Sequence, residues 1–208
     1  MHLYLLRHGE SYGNATGDYS LLESDSLSER GCEQAQKVAE ALSLESLDRI
    51  VVSPLLRATQ TIFPYLEKSG QTAEIWPELA EIPWRGEREP VAESWPTEPP
   101  RLPEEMAHRF VFWEGNPCKP APGESIGQGL RRVVDAEARL RKLYDEGCQS
   151  LLMVSHGHFL RKLLNLILKT EKPLFYHHRN VGFSRLIIED NIYCNGINLP
   201  IDDISVGH

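Results

Sequence analysis

The chain has 208 residues, the length of one domain or of one domain with a sizeable insertion. Hydrophobic residues make up 41% and charged residues 25%, which excludes a disordered, collagen-like or coiled-coil chain. With 22 basic against 30 acidic residues, the formal net charge is −8. This charge argues against partners such as nucleic acids and anionic membranes, because both need a broad basic surface.

The four cysteines are far apart in the sequence and form neither a Cys-x-x-Cys pair nor a zinc-finger cluster with histidine. We therefore expect reduced thiols. The apolar run at residues 3–6 is too short for a signal peptide, and no later run reaches the roughly 18 apolar residues of a membrane span. The sequence predicts a soluble, cytoplasmic protein and leaves its oligomeric state, monomer or homodimer, open.

Apolar runs of about five residues alternate with stretches of helical periodicity, which predicts an α/β domain with a mostly parallel sheet. Pro64 is expected to kink the second helix or to end it early. The predicted strands are 3–6, 50–53, 72–76 and 151–154, the predicted helices lie around 35–42, 54–62, 125–144 and 159–167, and a terminal hairpin joins 183–189 to 192–195.

Residues 82–124 interrupt the alternation of predicted strands and helices. The segment holds nine of the fourteen prolines and three of the four tryptophans. It is too aromatic for a disordered linker and too long for a plain connection, so we interpret it as an ordered lid or cap over the sheet. A surface loop without a function is the alternative.

Three polar clusters follow predicted strands where each strand leads into a helix. They contain Arg7 and His8, Ser53 to Arg57, and His156 to His158. Because the carboxyl ends of parallel strands share one edge of the sheet, these clusters are expected to meet in one pocket. Arginines, histidines, glycines and helix N-termini together favour an anion, most simply phosphate.

A histidine surrounded by arginines has its charged form disfavoured, so we expect the pKa of His8 to fall and the neutral imidazole to predominate near pH 7. A neutral imidazole can attack phosphorus. The carbonyl oxygen of Gly9 is expected to fix its tautomer.

Residues 5–10, Leu-Leu-Arg-His-Gly-Glu, resemble the signature of the histidine phosphatase superfamily, which has the phosphoglycerate mutase-like fold. Residues 27–31, 53–61, 123–125 and 155–157 resemble its further motifs, in the family's order. The resemblance implies an α/β three-layer sandwich with a mostly parallel central sheet, helices on both faces and an inserted cap over the C-terminal edge of the strands. It implies one domain over 1–208, with 82–124 as the lid.

The resemblance also implies roles for single residues. His8 would be the nucleophile that forms a phosphohistidine, while Arg7, Arg57 and His156 would bind the transferring phosphoryl group. Asn14 matches a further phosphate contact, and Gly157 belongs to the last motif. Glu81, in the run Leu-Ala-Glu, would be the proton donor. The residues after Glu81 depart from the family's spacing, so Glu78 and Glu87 remain alternatives.

The predicted function is hydrolysis of a small phosphomonoester without a cofactor or metal. A metal site on His8, Glu10, His156 and His158 is the weaker interpretation, since Arg7 and Arg57 would repel a cation. A phosphoglycerate mutase needs extra basic residues to retain a doubly phosphorylated intermediate, whereas 82–124 has five basic residues against eight glutamates. A non-catalytic phosphate-binding module is the remaining alternative.

Overall fold

The computed structural model of the protein describes residues 1–18, 25–42, 47–82, 102–112 and 124–203. Within these residues the strands are β1 (His2–Arg7), β2 (Arg49–Val52), β3 (Ala73–Ile75), β4 (Phe110–Phe112), β5 (Ser150–Ser155), β6 (Phe183–Ile188) and β7 (Ile192–Leu199). The α-helices are α1 (Tyr12–Thr16), α2 (Glu29–Leu42), α3 (Leu56–Ser69), α4 (Glu104–Ala107), α5 (Ile126–Asp145) and α6 (Gly157–Ile167).

The strands form one sheet in the order β4-β3-β2-β5-β1-β6-β7. The pairs among β1 to β5 are parallel, and β6 and β7 add an antiparallel hairpin beside β1. The predicted mostly parallel sheet and the terminal hairpin are therefore confirmed. β5 lies between β1 and β2, which brings the carboxyl ends of these three strands side by side.

Helices cover both faces of the sheet, because alternate residues of each strand point to opposite sides. Tyr4 and Leu6 of β1 pack in one core cluster with residues of α2 and α3, whereas Leu3 and Leu5 pack in the other with residues of α5 and α6. This arrangement is the predicted three-layer sandwich.

The start and end of α3 differ from the prediction. The helix begins at Leu56 with Leu55 as its N-cap, while the Ser53 hydroxyl lies 2.7 Å from Nε2 of His156. An early end at Pro64 is wrong, since α3 continues to Ser69. Burial of its apolar face outweighs the hydrogen bond lost at proline.

Residues 102–112, from the proline-rich segment, form α4 and β4. Strand β4 pairs in parallel with β3 and extends the sheet at its edge. The rest of the segment, 83–101 and 113–123, lies outside the described residues, so the lid remains a prediction. None of the helices in the described ranges is both long and apolar enough to cross a membrane.

Candidate active site

The residues predicted to meet do so at the carboxyl ends of β1, β5 and β2. His8 follows β1, His156 follows β5, and Arg57 is the second residue of α3, the helix after β2. The rings of His8 and His156 have their centroids 5.0 Å apart. The strand order thus converts three distant motifs into one cluster.

His8 is almost fully buried, and one ring nitrogen is fixed by the backbone. Its Nδ1 lies 2.7 Å from the carbonyl oxygen of Gly9. Because a carbonyl oxygen can only accept, Nδ1 carries the proton and Nε2 keeps its lone pair. Burial, and then the charges of Arg57 and Arg7, hold the pKa of His8 well below its usual range. The neutral imidazole therefore presents a nucleophilic Nε2 at neutral pH.

His156 is also fully buried, with Nε2 2.7 Å from the Ser53 hydroxyl. Among the described residues, its Nδ1 has no hydrogen-bond partner. Burial and then the charge of Arg57 hold the pKa of His156 well below its usual range. When the Ser53 hydroxyl donates to Nε2, Nδ1 carries the ring proton and can donate it to a ligand oxygen.

Arg57 lies between His8 and a buried carboxylate. Its Nε donates to Nε2 of His8 over 3.4 Å, and its Nη1 is 3.8 Å from a carboxylate oxygen of Asp25. The other oxygen of Asp25 accepts from the backbone N–H of Gly13 at 2.9 Å. Asp25 thereby offsets part of the charge that Arg57 brings into the interior.

Arg7 is held at the other side of the site by two polar groups. Its guanidinium donates to the carbonyl oxygen of His178 and, over 3.4 Å, to the side-chain oxygen of Asn14. The amide of Asn180 donates to the same Asn14 oxygen over 2.8 Å. A Cβ at Gly157 would lie 3.3 Å from Cβ of His178, a tight contact, and 3.5 Å from Nε of Arg7, an ordinary one, so the start of α6 packs closely against both residues.

Glu81 lies at the N-terminus of α6. One carboxylate oxygen accepts from the backbone N–H groups of Ile82 and Phe159 at 2.9 and 3.0 Å, and the other accepts from His158 at 3.3 Å. The positive end of the helix dipole favours an anion there. His156 is the N-cap of the same helix, so one helix terminus holds both the histidine and the carboxylate.

The two alternative acids differ from Glu81. Both carboxylate oxygens of Glu78 bond to Nη1 of Arg139, at 3.1 and 3.0 Å. This guanidinium also lies 3.6 Å above the ring of Trp76, so Glu78 belongs to a separate ion pair. Glu87 lies outside the described residues. Among the residues that the structure describes, no group of three or more potential ligands is arranged to hold a metal ion.

The sequence profile of the histidine phosphatase superfamily (branch 1) matches residues 3–193. The chain belongs to this superfamily. It is 32% identical over 182 residues to the adenosylcobalamin/α-ribazole phosphatase of Salmonella typhimurium, covering 86% of this chain and 85% of the relative. It is 33% identical over 194 residues to phosphoserine phosphatase 1 of Hydrogenobacter thermophilus, covering 90% and 87%.

A solved structure supports the fold of this histidine phosphatase. The α-ribazole phosphatase of Shigella flexneri aligns with a TM-score of 0.70 over 100% of this chain and 99% of that chain, at 24% identity. The family resemblance predicted from the ordered motifs is therefore confirmed, as is the fold.

Several residues that support the site of this histidine phosphatase were missed by sequence reasoning. Asp25 faces Arg57, and Arg132 bonds to the segment that carries Glu81. Thr61 accepts from the N–H of Gly9 and donates to the carbonyl of Arg57. In the sequence these three residues are polar residues inside or beside the quoted motifs, and nothing in the sequence indicates that they are buried.

His178, which precedes β6, is buried. The side chain is 6% exposed, and its Nε2 is 2.9 Å from the hydroxyl of Tyr176. Burial, and then the charges of Arg7 and Arg161, lower the pKa of His178 to about 3. The residue therefore packs as a neutral ring behind Arg7.

Proposed function

We propose that this histidine phosphatase hydrolyses small phosphomonoesters through a phosphohistidine on His8. The observation that carries the proposal is the fixed tautomer of a buried imidazole. The Gly9 carbonyl holds the proton on Nδ1, while Nε2 lies beside Arg57 and His156. His8, His156 and the guanidinium of Arg57 thus lie together, and Arg7 supplies a second positive charge for binding a phosphoryl oxygen.

In the first step, Nε2 of His8 attacks phosphorus and the bond from phosphorus to the ester oxygen breaks. In the acid form that this step requires, Glu81 donates its proton to that oxygen, so the alcohol leaves neutral. The N–H groups at the start of α6 then stabilise the carboxylate that remains. The Gly9 carbonyl stabilises the positive ring that forms. Arg7, Arg57 and His156 bind the phosphoryl oxygens, whose charge they stabilise during transfer. Asn14 and the backbone N–H of Gly157 would complete this binding site.

In the second step, water attacks the phosphorus of the phosphohistidine. The Glu81 carboxylate accepts a proton from this water, and the bond between phosphorus and Nε2 breaks. Inorganic phosphate leaves, the neutral His8 is restored, and Glu81 is again protonated. The cycle consumes one ester and one water, and requires neither a metal nor an organic cofactor.

The decisive experiment compares wild type with His8→Ala on p-nitrophenyl phosphate and on a ³²P-labelled ester quenched during turnover. We expect wild type to release phosphate and to carry label that is stable in alkali and lost in acid, as a phosphohistidine is. His8→Ala should show neither. Equal phosphate release by both proteins would contradict the mechanism, and activity lost to a chelator and restored by a divalent cation would favour a metal enzyme.

The natural substrate is tested with a panel read by phosphate release. The relatives' names make α-ribazole 5′-phosphate and phosphoserine the first members, with 3-phosphoglycerate as the third. We expect hydrolysis rather than isomerisation, because the segment 82–124 has an excess of acidic residues that disfavours holding a bisphosphate. Isomerisation of 3-phosphoglycerate that depends on 2,3-bisphosphoglycerate would contradict the phosphatase assignment.

We also propose that the enzyme works in the cytoplasm. Cys32, Cys148 and Cys194 are free thiols, which fits a reducing compartment. Fractionation of cells that express a tagged chain tests this proposal, with the soluble cytoplasmic fraction as the expected location.

A further inference from the structure

Arg132 of α5 is less exposed than the other buried arginine, Arg57, and the active-site chemistry described above does not use it. Its side chain is 1% exposed. Nη1 donates to the carbonyl oxygens of Glu78 and Ala80 at 2.7 and 2.6 Å, and Nη2 donates to the carbonyl oxygen of Glu81 at 3.1 Å. One guanidinium thus bonds to three carbonyls within four consecutive residues.

The guanidinium is itself held by a buried carboxylate. Nε and Nη2 of Arg132 donate to the two oxygens of Glu124 at 2.7 and 2.6 Å, and the Glu124 side chain is 6% exposed. A pair of parallel bonds of this kind fixes the plane of the guanidinium as well as its position. Glu124 therefore aims the remaining N–H groups of Arg132 at the 78–81 segment.

Close packing between helix and loop accompanies this polar contact. A Cβ at Gly129, one turn before Arg132, would lie 2.6 Å from Cγ2 of Ile82, the residue after Glu81. The absent side chain lets α5 approach the loop closely enough for the guanidinium to reach its carbonyls. Gly129 and Arg132 thus both pack against residues 78–82.

Glu81 is consequently held from two sides. Its carboxylate bonds to N–H groups at the start of α6, and its own backbone carbonyl bonds to Arg132 of α5. If the backbone contact is removed, the carboxylate can still bond to α6, but the loop that carries it is free to shift. A displacement of about 1 Å at a reacting group can cost about 10²-fold in rate.

We propose that Arg132, aimed by Glu124, is the positioning residue for the Glu81 carboxyl and sets how efficiently it delivers a proton to the leaving oxygen. This inference rests on the proposed function, because it requires Glu81 to be the proton donor. Its signature is a loss confined to substrates whose leaving group needs that proton.

The experiment compares phenyl phosphate, a poor leaving group, with p-nitrophenyl phosphate, an activated one. The main variant is Arg132→Lys, which keeps the positive charge but loses the planar guanidinium and its several N–H donors. We expect kcat/KM for phenyl phosphate to fall by about 10-fold to 10²-fold, and kcat/KM for p-nitrophenyl phosphate by less than about 3-fold. Glu124→Gln should give the same pattern with a smaller loss.

Arg139→Lys is the matched control, because Arg139 lies on the same helix and bonds to the Glu78 side chain rather than to the carbonyls of the loop. It should leave both substrates within about 2-fold of wild type. In the double variant Glu81→Gln/Arg132→Lys, phenyl phosphate should show no loss beyond that of Glu81→Gln, since Arg132 acts through Glu81.

Equal losses on both substrates, or no loss, in a folded Arg132→Lys would overturn the inference. An added loss in the double variant would overturn it too. If Arg132→Lys does not fold, Glu124→Asp, which keeps the charge and shortens the reach, is judged by the same ratio. Comparison of Glu81→Gln with wild type distinguishes a failure of this inference from a failure of the proposed function. A selective loss in Glu81→Gln upholds the proton donor whatever Arg132 shows, and its absence overturns both the donor and this inference.

Discussion

The proposed phosphoryl-binding part of the site, around His8, and the proposed proton-donor part, around Glu81, are held by different groups. Around His8, the charges come from side chains: Arg57 and Arg7 lower its pKa and His156 lies beside it, while the Gly9 carbonyl fixes the tautomer. Around Glu81, N–H groups of α6 bond to the carboxylate, and the Arg132 side chain bonds to the backbone carbonyl oxygen. In the proposed mechanism His8 must be kept neutral, which nearby cations and burial achieve. Glu81 must be kept in place, which the N–H groups of α6 and Arg132 achieve.

The two parts meet at the N-terminus of α6. His156 is its N-cap, while His158 and Phe159 donate to Glu81. A displacement of this helix would change both parts together. Substitutions that act on one part alone are therefore the informative ones.

The largest effect is expected from Glu81→Gln on phenyl phosphate. Glutamine keeps an oxygen for the α6 amides but cannot deliver the proton, so kcat/KM should fall by about 10²-fold to 10⁴-fold, with a much smaller loss on p-nitrophenyl phosphate. Steady-state kinetics on both substrates check this. Glu78→Gln is the control, and a selective loss there instead would assign the acid role to Glu78.

In the phosphoryl-binding part, Arg57→Gln should lower kcat/KM on both substrates alike, by about 10²-fold to 10³-fold, because a charge that stabilises the transferring group is lost. The pKa of His8 should rise, because the charge of Arg57 is one of the causes that lower it. Imidazole NMR titration measures this shift. The control is Arg30→Gln, whose side chain is 73% exposed. An unchanged His8 titration would contradict the electrostatic account.

Asp25→Asn tests the balance of charge behind Arg57. The change leaves Arg57 without its buried counterion, so the free energy of unfolding should fall by up to about 3 kcal/mol. Inorganic phosphate can supply the missing negative charge. It should therefore raise the Tm of Asp25→Asn more than that of wild type. Thermal unfolding with and without phosphate measures both values, and equal shifts would show that Asp25 does not balance Arg57.

The last prediction concerns the pH dependence of stability. The folded state lowers the pKa of His178 to about 3, so between pH 6.5 and about 3 the unfolded chain binds a proton that the native chain does not. Stability is present above pH 6.5 and is lost on acidification. In His178→Gln, the slope of unfolding free energy against pH should be shallower by about 1.4 kcal/mol per pH unit in this window. His177→Gln is the control: because the side chain of His177 is exposed, the slope of unfolding free energy against pH should match that of wild type.

The sequence predicted the positions of His8, Arg57 and His156 better than the position of Glu81. His8, Arg57 and His156 directly follow apolar strands or begin the next helix, so the rule for parallel sheets is enough to bring them together. Glu81 follows a three-residue strand and a short 3₁₀ turn, Pro77–Leu79, where no local pattern gives the direction of a side chain.

Tertiary contacts explain what sequence reasoning missed. Arg132 is one of several arginines on an amphipathic helix, and the three carbonyls and the Glu124 carboxylate brought to it by the fold distinguish it from a solvated neighbour. Asp25 lies 32 positions before Arg57, in a polar stretch with no periodicity. Strand β4 is the run Phe-Val-Phe, which favours a strand, but it has only three residues and lies in a proline-rich segment that the sequence analysis interprets as a lid.

The position of β5 determines when the enzyme can become active during its synthesis. β5 pairs with β1 on one side and with β2 on the other, although the ribosome makes it about one hundred residues after β2. A nascent chain that stops before Ser150 has a gap one strand wide between the strands that lead to His8 and Arg57. We therefore expect truncated translation products to be inert, because insertion of one late strand closes the sheet and assembles the site in the same event.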